Sequence, residues 1–132
     1  MKIAVVMGGI TAEREVSLRS GQAILNSLLK QGYEAYKIDL TKENLVSAFI
    51  ENTYDLVYLA LHGEYGEDGR VQSVLDMLGK KYTGSGVTGS AVAMNKILTK
   101  MIAKELGIRV AGTYSSIEEI DNYPVVIKPA KE

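Results

Sequence analysis

The chain of 132 residues has no cysteine, no tryptophan, a single histidine and two prolines. Without cysteine there is no disulfide framework and no thiolate zinc site, and the composition fits a reducing compartment. Charge of one sign is also lacking: 15 basic residues stand against 16 acidic ones, a formal net charge of −1. That balance excludes a general electrostatic grip on nucleic acid or on an anionic membrane surface. Long apolar runs are missing as well. The opening MKIAVVMGG is interrupted by glycine and followed by Glu13, so it is too short for a secretory core and far short of a membrane span. No internal repeat or low-complexity tract occurs. A soluble, cytoplasmic protein with no nucleic-acid and no membrane partner is expected.

What is present reads as one core and the opening of a second unit. Of the residues 46% are hydrophobic and 23% charged. A chain of this size buries roughly two thirds of the surface it would expose unfolded. Ile3 to Met7 is a continuous apolar run ended by Gly8 and Gly9, the pattern of a strand buried on both faces. Glu15 to Gln31 turns helical, with Gly21, Ile24, Leu25 and Leu28 on one stripe and Gly32 as the stop. Ala35 to Leu40 and Leu56 to Leu61 are two further strands. Between them Thr41 is expected to cap a short helix that turns Leu45, Ala48 and Phe49 inward. A helix follows on Val71, Val74, Leu75 and Leu78, stopped by Gly79, then a short strand in KYTGSG. Thr88 to Leu106 is helical with a break near Asn95, and Ile97, Leu98, Met101, Ile102 and Leu106 are expected to face in.

Strands alternating with helices over short connections predict the α/β class, an open parallel sheet with helices on both faces. Residues 1–107 make up this domain. From 108 to 132 the pattern changes to an extended segment, a helical turn at Ser116 to Ile120 and a strand at Tyr123 to Lys128. That stretch is expected to be the beginning of a second unit, either cut short or docked on the first.

Ligands of open parallel sheets gather beyond the carboxyl ends of the strands. Two loops meet that condition, Gly8 to Val16 and His62 to Gly69. The first, GGITAEREVS, has neither GxGxxG nor GxxxxGK[ST], so it supports neither a dinucleotide fingerprint nor a P-loop. Glu13, Arg14 and Glu15 suit the start of a helix as a solvated first turn whatever their function. Two glycines that let backbone close on a ligand make Glu13 a site candidate. His62 has two readings of equal weight. One is a strand-end imidazole satisfied by a neighbouring carbonyl. The other is a proton-handling or carboxylate-binding group in a loop shaped by Gly63, Gly66 and Gly69. Glu64, Glu67 and Asp68 with one histidine do not make a metal set, and Asp68 is placed to cap the next helix. Lys96 and Lys128 read first as surface lysines and second as phosphate contacts. Tyr82 and Tyr123 are expected in packing, and the eight tyrosines form no stacking platform for single-stranded nucleic acid.

Four stretches, GGITAEREVSLRSG, LHGEYGEDGRVQ, YTGSGVTGSAVAMNK and YPVVIKPAKE, in that order resemble the N-terminal part of the D-alanine–D-alanine ligases, which are ATP-grasp enzymes. The resemblance covers essentially the whole chain. It implies a Rossmann-like or flavodoxin-like pre-ATP-grasp domain followed by the start of an ATP-grasp domain. The implied activity is that of an ATP-dependent, ADP-forming ligase of peptidoglycan precursor synthesis. ATP phosphorylates the carboxylate of one D-alanine, the amine of a second attacks the acyl phosphate, and phosphate leaves.

Position by position, Glu13 corresponds to the glutamate that holds the ammonium of the first D-alanine, and Val16 lines the same pocket. His62 corresponds to the histidine beside that substrate's carboxylate; Lys96 and Lys128 correspond to two lysines on the ATP phosphates. Glu13 and His62 carry the catalytic assignment. ATP and Mg2+ are implied, both needing the part of the family pattern that follows KPAKE, and the polypeptide alone is expected to make no dipeptide. IRVAGTYSS also lacks the proline that the pattern places after Gly107. The implied assembly is a homodimer through the N-terminal domain. Two other readings stand beside this one: another ATP-grasp carboxylate–amine ligase, and a stand-alone flavodoxin-like binding or dimerisation module without catalysis.

Overall fold

A computed structural model describes residues 1–131. Its elements are β1 (Lys2–Gly8), α1 (Arg14–Lys30), β2 (Glu34–Leu40), α2 (Ser47–Ile50), β3 (Leu56–Leu59), α3 (Arg70–Met77), α4 (Val87–Met94) and α5 (Lys96–Glu105), with a 3-10 turn at Ile117–Glu119. The strands are parallel and run in the order β2-β1-β3. Tyr82 adds a single parallel bridge to Val57, which is all that the expected strand in KYTGSG amounts to. Among the described residues no helix is long and apolar enough to cross a membrane.

The continuous apolar run of β1 has a direct cause. Side chains alternate across a strand, and here both faces are covered. Ile3, Val5 and Met7 pack with Leu25 of α1 and with Ala60. Ala4 and Val6 pack on the other side with Phe49, Val71 and Leu75, the residues that α2 and α3 contribute. Phe49 and Leu75 are completely buried; truncating a buried phenylalanine costs about 3–5 kcal/mol. α1 lies so close to the sheet that a Cβ on Gly21 would sit 2.5 Å from the Cβ of Met7. The two loops that follow β1 and β3 therefore leave the same end of two adjacent strands.

Four expectations are corrected. Thr41 caps no helix: its N–H donates to Asn44 Oδ1 at 2.6 Å, and α2 begins only at Ser47, after Val46, without a side-chain cap bond. Asn44 outcompetes a cap because it also donates to Asp39 O at 2.9 Å, closing the turn locally. The helix break at Asn95 is as expected, and Asn95 Oδ1 accepts from the N–H groups of Ile97 and Leu98. The apolar face of α5, however, does not face in. Met101 is 61% and Leu106 70% exposed, because no sheet or layer of the described residues lies over that face.

Tyr123 to Lys128 is not a strand, since no neighbouring strand offers partners for its backbone. Tyr123 in it is exposed rather than packed, whereas Tyr82 packs against the core and donates to Asp76 Oδ1 at 3.0 Å. The tail instead returns to the α4–α5 junction, where the Lys96 N–H donates to Ala130 O at 2.9 Å. The expected second unit ends at Glu132, which lies outside the described residues.

Candidate functional site

The β1–α1 loop is built around an arginine that its sequence presented as part of a solvated turn. Arg14 Nη1 donates to Gly9 O at 3.1 Å and Leu40 O at 3.0 Å, and Nη2 donates to Asp39 Oδ1 at 2.9 Å. The guanidinium thus ties the exits of β1 and β2, sharing Leu40 O with the Gly9 N–H, which donates to the same oxygen at 2.8 Å; a carbonyl oxygen has two lone pairs for two donors. Gly8 makes room for it: φ is +92°, and a Cβ there would lie 2.6 Å from Arg14 Nη1. Burial alone would raise the Asp39 pKa, but hydrogen bonds from Lys37 and Arg14 outweigh it and hold the carboxyl below its ordinary value. Ser17, fully buried on α1, accepts the Gly8 N–H at 2.9 Å and donates to Ala60 O at 2.7 Å. One hydroxyl joins α1 to the exits of both β1 and β3.

These ties set the two loops side by side. Thr11 Oγ1 accepts the Glu13 N–H at 3.2 Å and reaches His62 O at 3.4 Å. The Glu13 carboxylate lies against Gly63: a Cβ on that glycine would be 2.7 Å from Glu13 Oε2. The acids of HGEYGEDG are engaged within their own loop. Glu67 Oε2 accepts the Gly63 N–H at 2.7 Å, and Asp68 accepts the N–H groups of Tyr65 and Arg70 at 3.0 and 3.1 Å. Arg70 donates to Glu64 Oε1 at 2.7 Å and stacks 4.4 Å above the Tyr65 ring. Tyr65 itself sits at φ 68°, a left-handed conformation uncommon for a non-glycine residue and held here by that stack and by Asp68.

His62 stands between α1 and this loop. Its Nε2 lies 3.1 Å from Ser20 Oγ, and its Nδ1 is 4.0 Å from Glu67 Oε1.

A cleft of about 940 Å³ opens above the loops, lined among others by Glu13, Gly63, Glu64, Arg70, Lys96 and Lys128. Three of the five sequence candidates, Glu13, Lys96 and Lys128, therefore meet on one cavity. Val16 and His62 do not line it: Val16 projects from α1, 43% exposed, and His62 is a residue behind the Gly63 wall. The cleft brings the carboxylates of Glu13, Glu64 and Asp68 and the cations of Arg70, Lys96, Lys128 and Lys131 onto one lining, a mixed charge suited to a small zwitterion beside an anion. Lysine ammonium groups are point-charge partners of phosphate, so this lining fits the phosphates of a nucleotide. For a divalent cation the fit is absent, since the described residues bring no three His, Cys, Asp or Glu side chains together. Arg14, Ser17 and Ser20 are the residues that sequence reasoning missed. The signals were the i, i+4 step from Ser17 to Gly21 on the packed stripe of α1 and the glycine at position 8 that leaves room for Arg14.

The chain is similar to known proteins along its whole length. A family model described as D-ala D-ala ligase N-terminus matches residues 44–85. A D-alanine--D-alanine ligase of Fusobacterium nucleatum is 57% identical over 132 residues, covering 100% of this chain and 46% of that protein. One of Citrifermentans bemidjiense is 47% identical over 137 residues, covering 99% of this chain and 44% of that protein. Among solved structures, the D-alanine--D-alanine ligase of Bacillus anthracis complexed with ATP superposes with a TM-score of 0.84. The two are 35% identical, and the match covers 99% of this chain and 48% of that one. The chain spans about half the length of the curated relatives it matches.

Proposed function

We propose, from the premise that this chain matches the N-terminal part of the D-alanine–D-alanine ligases over its whole length, that it supplies the first-substrate pocket and two phosphate contacts of such an enzyme. The reaction is the ATP-dependent joining of two D-alanines through a D-alanyl phosphate. The observation that carries the reading is the shared cleft of Glu13, Lys96 and Lys128.

In this reading the Glu13 carboxylate binds the ammonium of the first D-alanine and so turns the substrate's own carboxylate towards the lysines. That is a positioning effect, worth orders of magnitude in rate when reacting atoms are brought to contact. Lys96 and Lys128 offset the charge that accumulates as a phosphoryl group passes from ATP to that carboxylate, which is the main protein contribution in such transfers. His62 helps to bind or order the substrate carboxylate from behind Gly63 and is not an obligatory base. Residues 1–107 act as the substrate domain and 108–132 as the start of an ATP-grasp domain. Magnesium is part of the proposed reaction, and the described residues bring no three His, Cys, Asp or Glu side chains together to hold it. A cytoplasmic homodimer completes the proposal, and sedimentation of the purified chain reads its assembly.

The test is Glu13→Gln in a ligase of the relatives' full length that carries these residues. Half-saturating D-alanine for the first site is expected to rise about tenfold or more, with the ATP requirement within about twofold of the parent. Equal rises for both substrates would overturn the role given to Glu13.

A further inference from the structure

Ser20 lies on α1 one turn beyond Val16, partly buried, with three polar neighbours around one hydroxyl. Its Oγ is 3.0 Å from Val16 O, 3.2 Å from Ser17 O and 3.1 Å from His62 Nε2. A hydroxyl has one proton and two lone pairs. Both carbonyls can only accept, so a Ser20 proton given to either of them leaves Oγ as the acceptor facing the imidazole. The His62 proton must then be on Nε2. In the opposite arrangement Ser20 would donate to a bare Nε2, and the ring proton would sit on Nδ1. On that side Glu67 Oε1 stands at 4.0 Å, too far for a hydrogen bond. The first arrangement makes two hydrogen bonds and the second makes one. The Gly63 N–H holds the other oxygen of Glu67 at 2.7 Å, which keeps this carboxylate at its place in the loop.

We infer that Ser20 is the positioning residue of His62: it takes the Nε2–H bond, fixes the tautomer and ring plane, and leaves Nδ1 as the free atom turned to the HGEYGEDG loop. The helix supplies this orientation without strain, since serine back-bonding to the i−3 or i−4 carbonyl is an ordinary conformation. Threonine keeps it, because its hydroxyl reaches the same carbonyls; alanine removes it. The consequence for the ligase rests on the reading of His62 as a substrate-loop residue, whereas the tautomer does not.

Because His62 is the chain's only histidine, one ring gives the whole signal. The imidazole nitrogens of the 15N-labelled chain are recorded at alkaline pH for the parent, Ser20→Ala and Ser20→Thr. The parent and S20T are expected to show one protonated Nε2 and one bare Nδ1, and S20A a mixture of the two tautomers. A parent ring protonated mainly on Nδ1, or an S20A spectrum identical to the parent, would overturn the inference. A second measurement uses a full-length ligase carrying this chain, where S20A is expected to raise half-saturating D-alanine about tenfold and S20T to restore it. A tautomer that shifts in S20A while the D-alanine requirement stays put would leave the Ser20 contact standing and remove His62 from the substrate site.

Discussion

Ser17→Ala removes one oxygen and isolates two backbone groups. In the native chain the hydroxyl accepts the Gly8 N–H at 2.9 Å and donates to Ala60 O at 2.7 Å, with Ser17 at 0% exposure. Alanine cannot replace either bond, and the site is too tightly enclosed for a water to enter where only one oxygen has left. Each orphaned buried group costs about 1–3 kcal/mol. Alanine's better helix propensity returns about half a kcal/mol at an interior position. The net loss is therefore about 3 kcal/mol, a large share of the roughly 5–15 kcal/mol that holds a domain folded. At about 2.1 cal/mol/K of unfolding entropy per residue, the corresponding fall in Tm is roughly 10 °C.

The assay is urea unfolding followed by circular dichroism at about 222 nm, a helix signal that suits a chain with no tryptophan. The control is Ser27→Ala, exposed on the same helix, which should stay within about 0.5 kcal/mol of the parent. A Ser17→Ala loss no larger than that of the control would refute the view that this hydroxyl fastens the two strand exits to α1.

Two further outcomes follow from neighbouring contacts. Gly21→Ala places a Cβ 2.5 Å from Met7 Cβ and 2.9 Å from its Cε, so overpacking of about 1–3 kcal/mol should exceed the roughly 1 kcal/mol gained in helix propensity; a rise in the urea midpoint would contradict this. Asp39 has its folded pKa held below the ordinary aspartate value by Lys37 and Arg14, against the opposing effect of burial, so the unfolded chain binds the proton more readily. The stability it contributes is present above that value and lost as pH falls through the lower folded pKa. Asp39→Asn should therefore flatten the decline of the urea midpoint between about pH 5 and pH 3, and an unchanged slope would count against the Arg14–Asp39–Lys37 cluster.

Most of the fold could be read from local pattern because its causes are local. A run such as Ile3 to Met7 needs two apolar covers, and the helices that follow it in sequence provide them, α1 on one face and α2 with α3 on the other. The stops at Gly32, Gly79 and Gly107 and the break at Asn95 depend on backbone preferences that single residues carry. The failures have the opposite character. The stripe Ile97, Leu98, Met101, Ile102 and Leu106 is as apolar as a core face, yet it is exposed, since periodicity reports that a face wants cover and not what covers it. Tyr123 to Lys128 has a strand's composition, but a strand exists only through a partner's hydrogen bonds, and no described residues offer them.

The site divides in the same way. Glu13, Lys96 and Lys128 each have a bland reading, as a helix first turn or a surface lysine, and are picked out by the resemblance of the motifs around them; all three line one cleft. Arg14, Ser17 and Ser20 left no such mark. Their distant partners are Leu40 O, Ala60 O and the His62 ring, groups brought within reach only after β1 has paired with both β2 and β3. Every residue has a backbone carbonyl, so a side chain destined to bind one looks in sequence like any surface serine or arginine on a helix. What the sequence does carry is the glycine that yields space for such a contact, as Gly8 does for the Arg14 guanidinium. The polar residues that hold the loops are thus read from their neighbours' missing side chains, while the charged lining of the cleft is read from the motifs that surround it.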